Sequence, residues 1–384
     1  MRVALIDPSL FTLPYDMRLA DGLRANGHEV RLHGRRPQGD DGGEVVPSVV
    51  ASFYPIANLP MARRLPAPLR LSIKGVDHVV SMARLRRRLA RERPDVIHFQ
   101  WLPLPAVDCH FLGGLRRLAP LVLTVHDSNP FNGNPASRLQ QQGLPGSFRR
   151  FDHLIVHTDQ GKERLCAQGV AEERIVVLPH GLLDAPIGAA NRDESAETVF
   201  LLFGKLKPYK GADVLIRAFA GVPPSLRARA RVRIVGKPYM DVATLHRLAV
   251  ELGVTDRVTI EPRFVADQEV ARLFGPGSVA VFPYREIEAS GVLSLAIAHA
   301  RPVLASRIGG FAETIRDGRD GLLVPAGDVA ALADAMTRFI ADAGFTAVCA
   351  RHVAELAAAI PDWREIGRRT GAVYQRAAAS RDAA

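Results

Sequence analysis

Residues 199–211 read V-F-L-L-F-G-K-L-K-P-Y-K-G. A continuous apolar run of this kind is what a parallel strand buried on both faces shows. Gly204 turns the chain, and an apolar helical spacing follows from Ala212 to Ala220. Strand, glycine turn and helix in that order open a parallel β-α-β unit. Lys205, Lys207 and Lys210 all fall in the turn, where the strand's carboxyl end meets the helix start. Cations beside unpaired helix amides favour an anion such as a diphosphate. Merely solvated loop lysines give the same pattern, so the segment is read with its surroundings.

Downstream the same grammar repeats. Strands are expected at 230–235, 258–261, 279–283, 303–305 and 321–324, with helices at 242–252, 270–273, 293–300 and 330–341. A terminal helix is expected over 362–379, after Pro361. Upstream, strands are expected at 3–6, 29–32, 96–99, 121–125, 154–157 and 175–178. Helices from Asp16 to about Ala25, at 84–93, 112–118 and 160–168 separate them. Two such series predict two doubly wound, parallel-sheet, Rossmann-like α/β domains, with the cleft between them as the default ligand site. The expected division is 1–184, a polar Pro/Gly-containing linker over 185–197, a second domain over 198–361, and a terminal helix over 362–384.

The 384 residues suit two domains, and 47% hydrophobic with 23% charged residues is an ordinary globular balance. Cys109, Cys166 and Cys349 are scattered and odd in number, which excludes a C-x-x-C zinc or redox pair and fits a reducing cytoplasm. The opening M-R-V-A-L-I-D-P is too short an apolar run for a signal peptide, and no stretch is apolar enough to span a membrane. The net charge is +10, and ten Lys/Arg between Met61 and Arg93 face only Asp77 and Glu92. This patch is expected to attract an anionic membrane or polyanion, or else to be a solvated helix face. No zinc-finger spacing or aromatic-studded basic sheet points to nucleic acid.

Two further signals sit at strand ends. Residues 281–293 read V-F-P-Y-R-E-I-E-A-S-G-V-L. Ser290 opens a helix whose Gly291, Val292 and Leu293 amides can meet the same phosphate, and Glu288 stands before them where it can accept sugar hydroxyls. A capped helix with an acidic neighbour explains the same residues without a ligand. His126 follows the strand L-V-L-T-V at the functional edge of the first domain. A lone histidine there is more often structural than catalytic.

Together these segments resemble the retaining glycosyltransferases of family 4, with the two-domain type B fold. The resemblance is densest from Val199 to Asp328. G-K-L-K-P-Y-K-G is similar to the family's G-R-L-x-x-x-K-G, with Lys205 in place of arginine and Lys210 on the family lysine. R-P-V-L-A-S-R-I-G-G-F-A-E-T-I-R-D-G-R-D-G-L-L-V-P-A-G-D, over 301–328, is very like the family signature. Val235-Gly236 resembles its loop near the nucleotide base, Pro179-His180-Gly181 the ending of its first domain, and Trp363 the aromatic near its terminal helix, which crosses back to the first domain.

The resemblance implies an acceptor-side first domain and a nucleotide-sugar-binding second domain. It implies a UDP- or GDP-sugar as donor substrate, no other cofactor, no metal, and transfer of a hexosyl unit to an acceptor hydroxyl with retention. His126, Lys205, Lys210 and Glu288 are the implied catalytic set. Gly204, Val235, Gly236, Phe264, Ser290, Gly291, Val292 and Leu293 are the implied donor-binding set, and Leu13, Tyr15 and Asp16 the acceptor side. With the basic patch, the expectation is a lipid-linked saccharide acceptor, polysaccharide or glycolipid assembly, and a cytoplasmic protein at the inner membrane face. Two features depart from the family. Its second glutamate falls here on Ala296, and the usual glycine pair of the first loop is replaced by S-L-F-T-L-P-Y-D over 9–16. The missing glutamate keeps a non-catalytic homologue in view. A nucleotide-sugar 2-epimerase, which shares the fold, needs more carboxylates than the sequence places. A dinucleotide oxidoreductase lacks its G-x-G-x-x-G.

Overall fold

A computed structural model describes residues 1–38, 49–63, 65–127, 143–183 and 197–382. The chain divides into two units, Met1–Gly181 with Pro361–Ala384, and Leu182–Ile360. The expected linker, apart from its last residue, lies outside the described residues.

The first unit holds seven strands: β1 (Arg2–Asp7), β2 (Glu29–Arg35), β3 (Val49–Phe53), β4 (Val96–Phe99), β5 (Leu121–Val125), β6 (His153–Val156) and β7 (Ile175–Val177). They form one parallel sheet in the order β3-β2-β1-β4-β5-β6-β7. Its helices are α1 (Leu13–Ala25), α2 (Pro60–Arg63), α3 (Ala67–Glu92), α4 (Pro105–Arg116), α5 (Leu144–Phe148) and α6 (Asp159–Ala167). β4 and β5 are buried along their whole length, which is why they read as unbroken apolar runs.

The second unit holds β8 (Thr198–Phe203), β9 (Ala230–Val235), β10 (Val258–Glu261), β11 (Ser278–Phe282), β12 (Val303–Ser306) and β13 (Gly321–Val324), parallel in the order β10-β9-β8-β11-β12-β13. Between and after them run α7 (Ala212–Gly221), α8 (Pro224–Arg227), α9 (Ala243–Glu251), α10 (Asp267–Leu273), α11 (Gly291–Ala298), α12 (Gly309–Thr314), α13 (Val329–Ala341) and α14 (Ala343–Ala359). One apolar cluster around Phe200, Ile216, Phe219, Ile234 and Met336 fills one face of this sheet, and another around Phe274, Phe282 and Phe311 fills the other.

The last helix, α15 (Trp363–Asp382), belongs to the first unit and packs on α1. Small residues allow the approach. A Cβ on Gly22 would lie 1.9 Å from the Trp363 carbonyl oxygen, and one on Gly367 would lie 2.3 Å from the Gly22 carbonyl carbon. Asn26, just past α1, donates from Nδ2 to the Arg364 carbonyl at 2.8 Å.

In each sheet the strand order reverses at one place, between β1 and β4 in the first and between β8 and β11 in the second. Open parallel sheets bind ligands beyond the carboxyl ends of the strands at such a reversal.

Candidate active site

In the second unit the residues after β8 cross that reversal. Gly204 donates its N–H to the Val235 carbonyl at 3.0 Å, and Leu206 donates to the Lys237 carbonyl at 2.9 Å. The β8 and β9 turns therefore lie side by side, so tightly that a Cβ on Gly236 would fall 1.8 Å from the Gly204 carbonyl oxygen. Gly236 also has φ +154°, a conformation L side chains rarely adopt. The chain then forms a 3-10 turn over Pro208–Lys210 and reaches β11, where a Cβ on Gly211 would meet the Pro283 carbonyl oxygen at 2.0 Å.

This path carries Lys210 back beneath the tip. Lys210 is 5% exposed. Its Nζ donates to the Phe203 carbonyl at 3.4 Å and sits 4.9 Å from the centre of the Tyr284 ring. Among the described residues no carboxylate pairs with it. Burial, and then the charges of Lys207 and Lys205, push its ammonium down to about 7. A Cβ on Gly204 would touch Lys210 Nζ at 3.0 Å and Val292 Cγ2 at 3.1 Å, so the lysine, the glycine turn and the start of α11 converge.

Ser290 caps α11 and accepts from the Leu293 amide at 3.4 Å. Of the three amides expected to face a phosphate, Leu293 is thus engaged by the cap. Gly291 and Val292 are the first-turn donors that a helix leaves without an internal partner. Glu288 is 2% exposed, and its carbonyl accepts from the Gly310 amide at 2.8 Å. Ala296 is wholly buried among apolar residues that include Phe274 and Ile297. Beyond β10, Phe264 is 42% exposed beside an ion network in which Arg263 bridges Glu261 at 2.9 Å and Glu269 at 2.5 Å.

In the first unit the carboxyl ends of β4, β5, β6 and β7 hold a chain of imidazoles. His157 Nδ1 lies 3.0 Å from the Leu178 carbonyl, which only accepts, so that nitrogen carries the proton. In a neutral ring Nε2 then accepts, and its partner at 3.2 Å, His126 Nδ1, donates. His126 Nε2 must in turn accept from the Gln100 carboxamide, 3.0 Å away. That requires the amide to present nitrogen there and oxygen to His98 Nε2, whose spacing to the carboxamide is 3.2 Å. The amide ends are interchangeable by a half-turn, and only this orientation satisfies every neutral ring. His98 Nδ1 accepts from the Tyr374 hydroxyl of α15 at 2.7 Å.

Desolvation by burial keeps the chain neutral. It pushes His98 and His157 down to about 3, lowers His180, and with neighbouring histidines holds His126 well below the usual imidazole range. Both ring nitrogens of His126 are engaged within the unit, so a hydroxyl reaching either one must displace Gln100 or His157.

The acceptor-side residues are all buried. Leu13 opens α1, and the Tyr15 ring meets His126 edge-on at 4.7 Å and Trp363 at 5.1 Å. Asp16 Oδ1 accepts from the Thr12 hydroxyl at 3.1 Å, and burial followed by the Asp7 charge raises its carboxyl well above the usual range. Sequence reasoning missed Gln100, His157, His180, Lys237 and Tyr284. A histidine directly after two successive strands (126, 157), and after the next strand and Leu-Pro (180), is the signal that was available. Among the described residues no group of three His, Cys, Asp or Glu side chains is placed to hold a metal ion.

Two parallel-sheet α/β units, each with polar groups gathered at its carboxyl edge, are the architecture of the type B glycosyltransferase fold. The Anabaena HepE structure in complex with UDP and glucose superposes with TM-score 0.73 over 98% of this chain and 100% of that one, at 18% identity. Residues 17–182 match the family model described as Glycosyltransferase Family 4, and residues 197–342 the one described as Glycosyl transferases group 1. The chain is 32% identical over 307 residues to the D-inositol 3-phosphate glycosyltransferase of Nocardiopsis dassonvillei, covering 73% of this chain and 70% of that protein. It is 30% identical over 285 residues to that of Acidothermus cellulolyticus, covering 67% and 62%. Two other such relatives are spanned over only 54% and 46% of their length. The chain belongs to glycosyltransferase family 4.

Proposed function

We propose that this protein transfers a hexosyl unit from a UDP- or GDP-sugar to an acceptor hydroxyl with retention of configuration. The observation that carries the reading is Lys210, a buried lysine with no carboxylate partner among the described residues, at the strand-order reversal and beside the start of α11. An uncompensated buried amine is unfavourable unless an anion completes it. The space next to Gly204, bounded by Lys210 Nζ and Val292, suits a diphosphate oxygen. Lys205, Lys207 and Lys237 add positive charge at the same tips. As the sugar–phosphate bond breaks, the leaving diphosphate gains charge, and a preorganised ammonium with helix amides stabilises it most at that moment. The lysines supply the charge that a divalent cation supplies elsewhere. UDP in the HepE structure supports a uridine donor.

In this reading Glu288 accepts sugar hydroxyls, and Phe264, exposed beyond β10, offers a face to the base. We assign the acceptor to lipid-linked saccharides of polysaccharide or glycolipid assembly, on the charge of residues 61–93. The unpaired Cys109, Cys166 and Cys349 support a reducing, cytoplasmic compartment.

The test is a thermal-shift screen of UDP, GDP and their sugars on the protein and on Lys210→Ala. A ligand at 100 times its Kd raises stability by about 2.7 kcal/mol. A shift with one nucleotide, lost in the variant, supports the reading. Silence with every nucleotide would instead favour a non-catalytic homologue, the reading that the buried Ala296 motivates. An epimerised nucleotide sugar formed without acceptor would replace transfer by epimerisation.

A further inference from the structure

Thirteen large apolar side chains stand exposed among the described residues, and eight of them fall between Ile56 and Val80. Five of these eight, Leu69, Leu71, Val76, Val79 and Val80, stand on α3. The inner face of α3 buries Asp77, His78, Ser81, Met82, Leu85 and Leu89. Residues 69, 72, 76, 79/80 and 83 repeat at i, i+3 and i+4 on the opposite side, which makes a second stripe. There Leu69 is 50% exposed, Val76 67% and Val80 38%. Met61, just before α3, is 80% exposed. A solvated helix face would carry polar groups at these positions.

Charge says what covers this face. α3 carries Arg70, Lys74, Arg84, Arg86, Arg87, Arg88 and Arg91 against two acids. Asp77 is buried and accepts from the Ile56 and Ala57 amides at 2.9 and 2.7 Å. Glu92 is engaged by Arg88 at 2.7 Å. The outer surface is thus apolar in its first turns and cationic in its last. A second copy docked in parallel on the same face would oppose arginine to arginine. Among the described residues no single helix is long and apolar enough to cross a membrane. An apolar stripe flanked by cations is the pattern of a helix lying in the headgroup layer of an anionic bilayer.

We infer that the outer face of α3, led by Leu69, Val76 and Val80 and continued by Arg84 and Arg87, docks on an anionic lipid surface. This deepens the lipid-linked acceptor reading and rests on it only for its purpose. The experiment is vesicle flotation of the full chain with phosphatidylcholine vesicles, alone or with 30% phosphatidylglycerol by design, at low and at high salt. Wild type should float with anionic vesicles and at least tenfold less with neutral ones, and salt should weaken it. The triple variant Leu69→Ser, Val76→Ser, Val80→Ser should lose at least tenfold at low salt, with its thermal unfolding and its nucleotide shift unchanged. Arg84→Glu with Arg87→Glu should lose the anionic preference. Equal flotation on both vesicles, none on either, or a triple variant that floats like wild type would overturn the proposal. So would a wild-type dimer that the triple variant dissolves. The nucleotide shift is read separately, so failure here leaves the donor reading standing and failure there leaves this one.

Discussion

The carboxyl edges of the two sheets share a topology and differ in chemistry. At the edge of the second sheet Lys205, Lys207, Lys210 and Lys237 gather with no acid among the residues that pair with Lys210. At the edge of the first, His98, His126, His157 and His180 gather and are held uncharged by burial. One edge carries the positive charge that an anion would need. The other is a neutral, directional hydrogen-bond chain, suited to holding rings in fixed tautomers rather than to holding charge. The same fold therefore does not dictate the chemistry at its strand ends; the residues just beyond each strand do.

The largest effect should come from removing the charge at one edge. Lys210→Ala is expected to lower kcat/KM by about 100- to 1000-fold, the range for losing one preorganised stabiliser. A loss below about tenfold in a donor-turnover assay would mean that Lys205, Lys207 or Lys237 carries the diphosphate instead.

Equivalent steric insults should separate the two units next. Gly236→Ala sets a methyl 1.8 Å from the Gly204 oxygen, and Gly22→Ala sets one 1.9 Å from the Trp363 oxygen. Each is expected to destabilise by about 3 kcal/mol or more in urea unfolding. Only Gly236→Ala should also abolish the nucleotide shift.

The pH response should differ in sign of purpose. Imidazoles with folded values near 3 bind fewer protons folded than unfolded between about 3 and 6.5, so stability is full above 6.5 and falls as pH drops through that window. Each such ring adds about 1.4 kcal/mol per pH unit to the slope. His157→Gln should flatten the acid limb of a thermal-unfolding series. Lys210, near 7 in the free protein, is largely neutral above that pH, and an incoming diphosphate restores its proton. Calorimetry of UDP binding in buffers of different ionisation enthalpy should show close to one proton taken up at pH 8.5 and almost none at pH 6. The smallest effect expected is that of Ser290→Ala, about 1 kcal/mol of stability from the lost cap, with nucleotide affinity weakened only a few-fold.

Buried parallel strands were the most legible part of the sequence, because burial on both faces writes an unbroken apolar run. β8 was expected at 199–203 and spans Thr198–Phe203. Partly exposed elements were not legible. β3 has half-open residues, and its apolar run is only Val49-Val50-Ala51 before Ser52. α3 was read only from Arg84, because its first turns carry Gly75 and an apolar outer stripe that blurs the helical period. α14 follows α13 after Asp342 alone, and no breaker separates them in the sequence. At the site, Lys210 was legible because a motif spans its loop. The imidazole chain joins residues from position 98 to 374, and no local pattern encodes a hydrogen bond over that span.

The return of α15 has a consequence for synthesis. His98 waits for Tyr374, and α1 waits for Gly367, yet the whole second unit is made in between. At a ribosomal pace of about 5–20 residues per second, the first unit stays incomplete for on the order of ten seconds or more after its sheet has emerged. The second unit emerges as one uninterrupted segment and has its parts together first. A stalled chain that ends at Ile360 and carries a flexible tether long enough to clear the ribosomal tunnel should therefore resist protease across residues 197–359 while α1 and the histidine strands are still cut. Uniform protection of both would mean that the sheet of the first unit closes without its last helix.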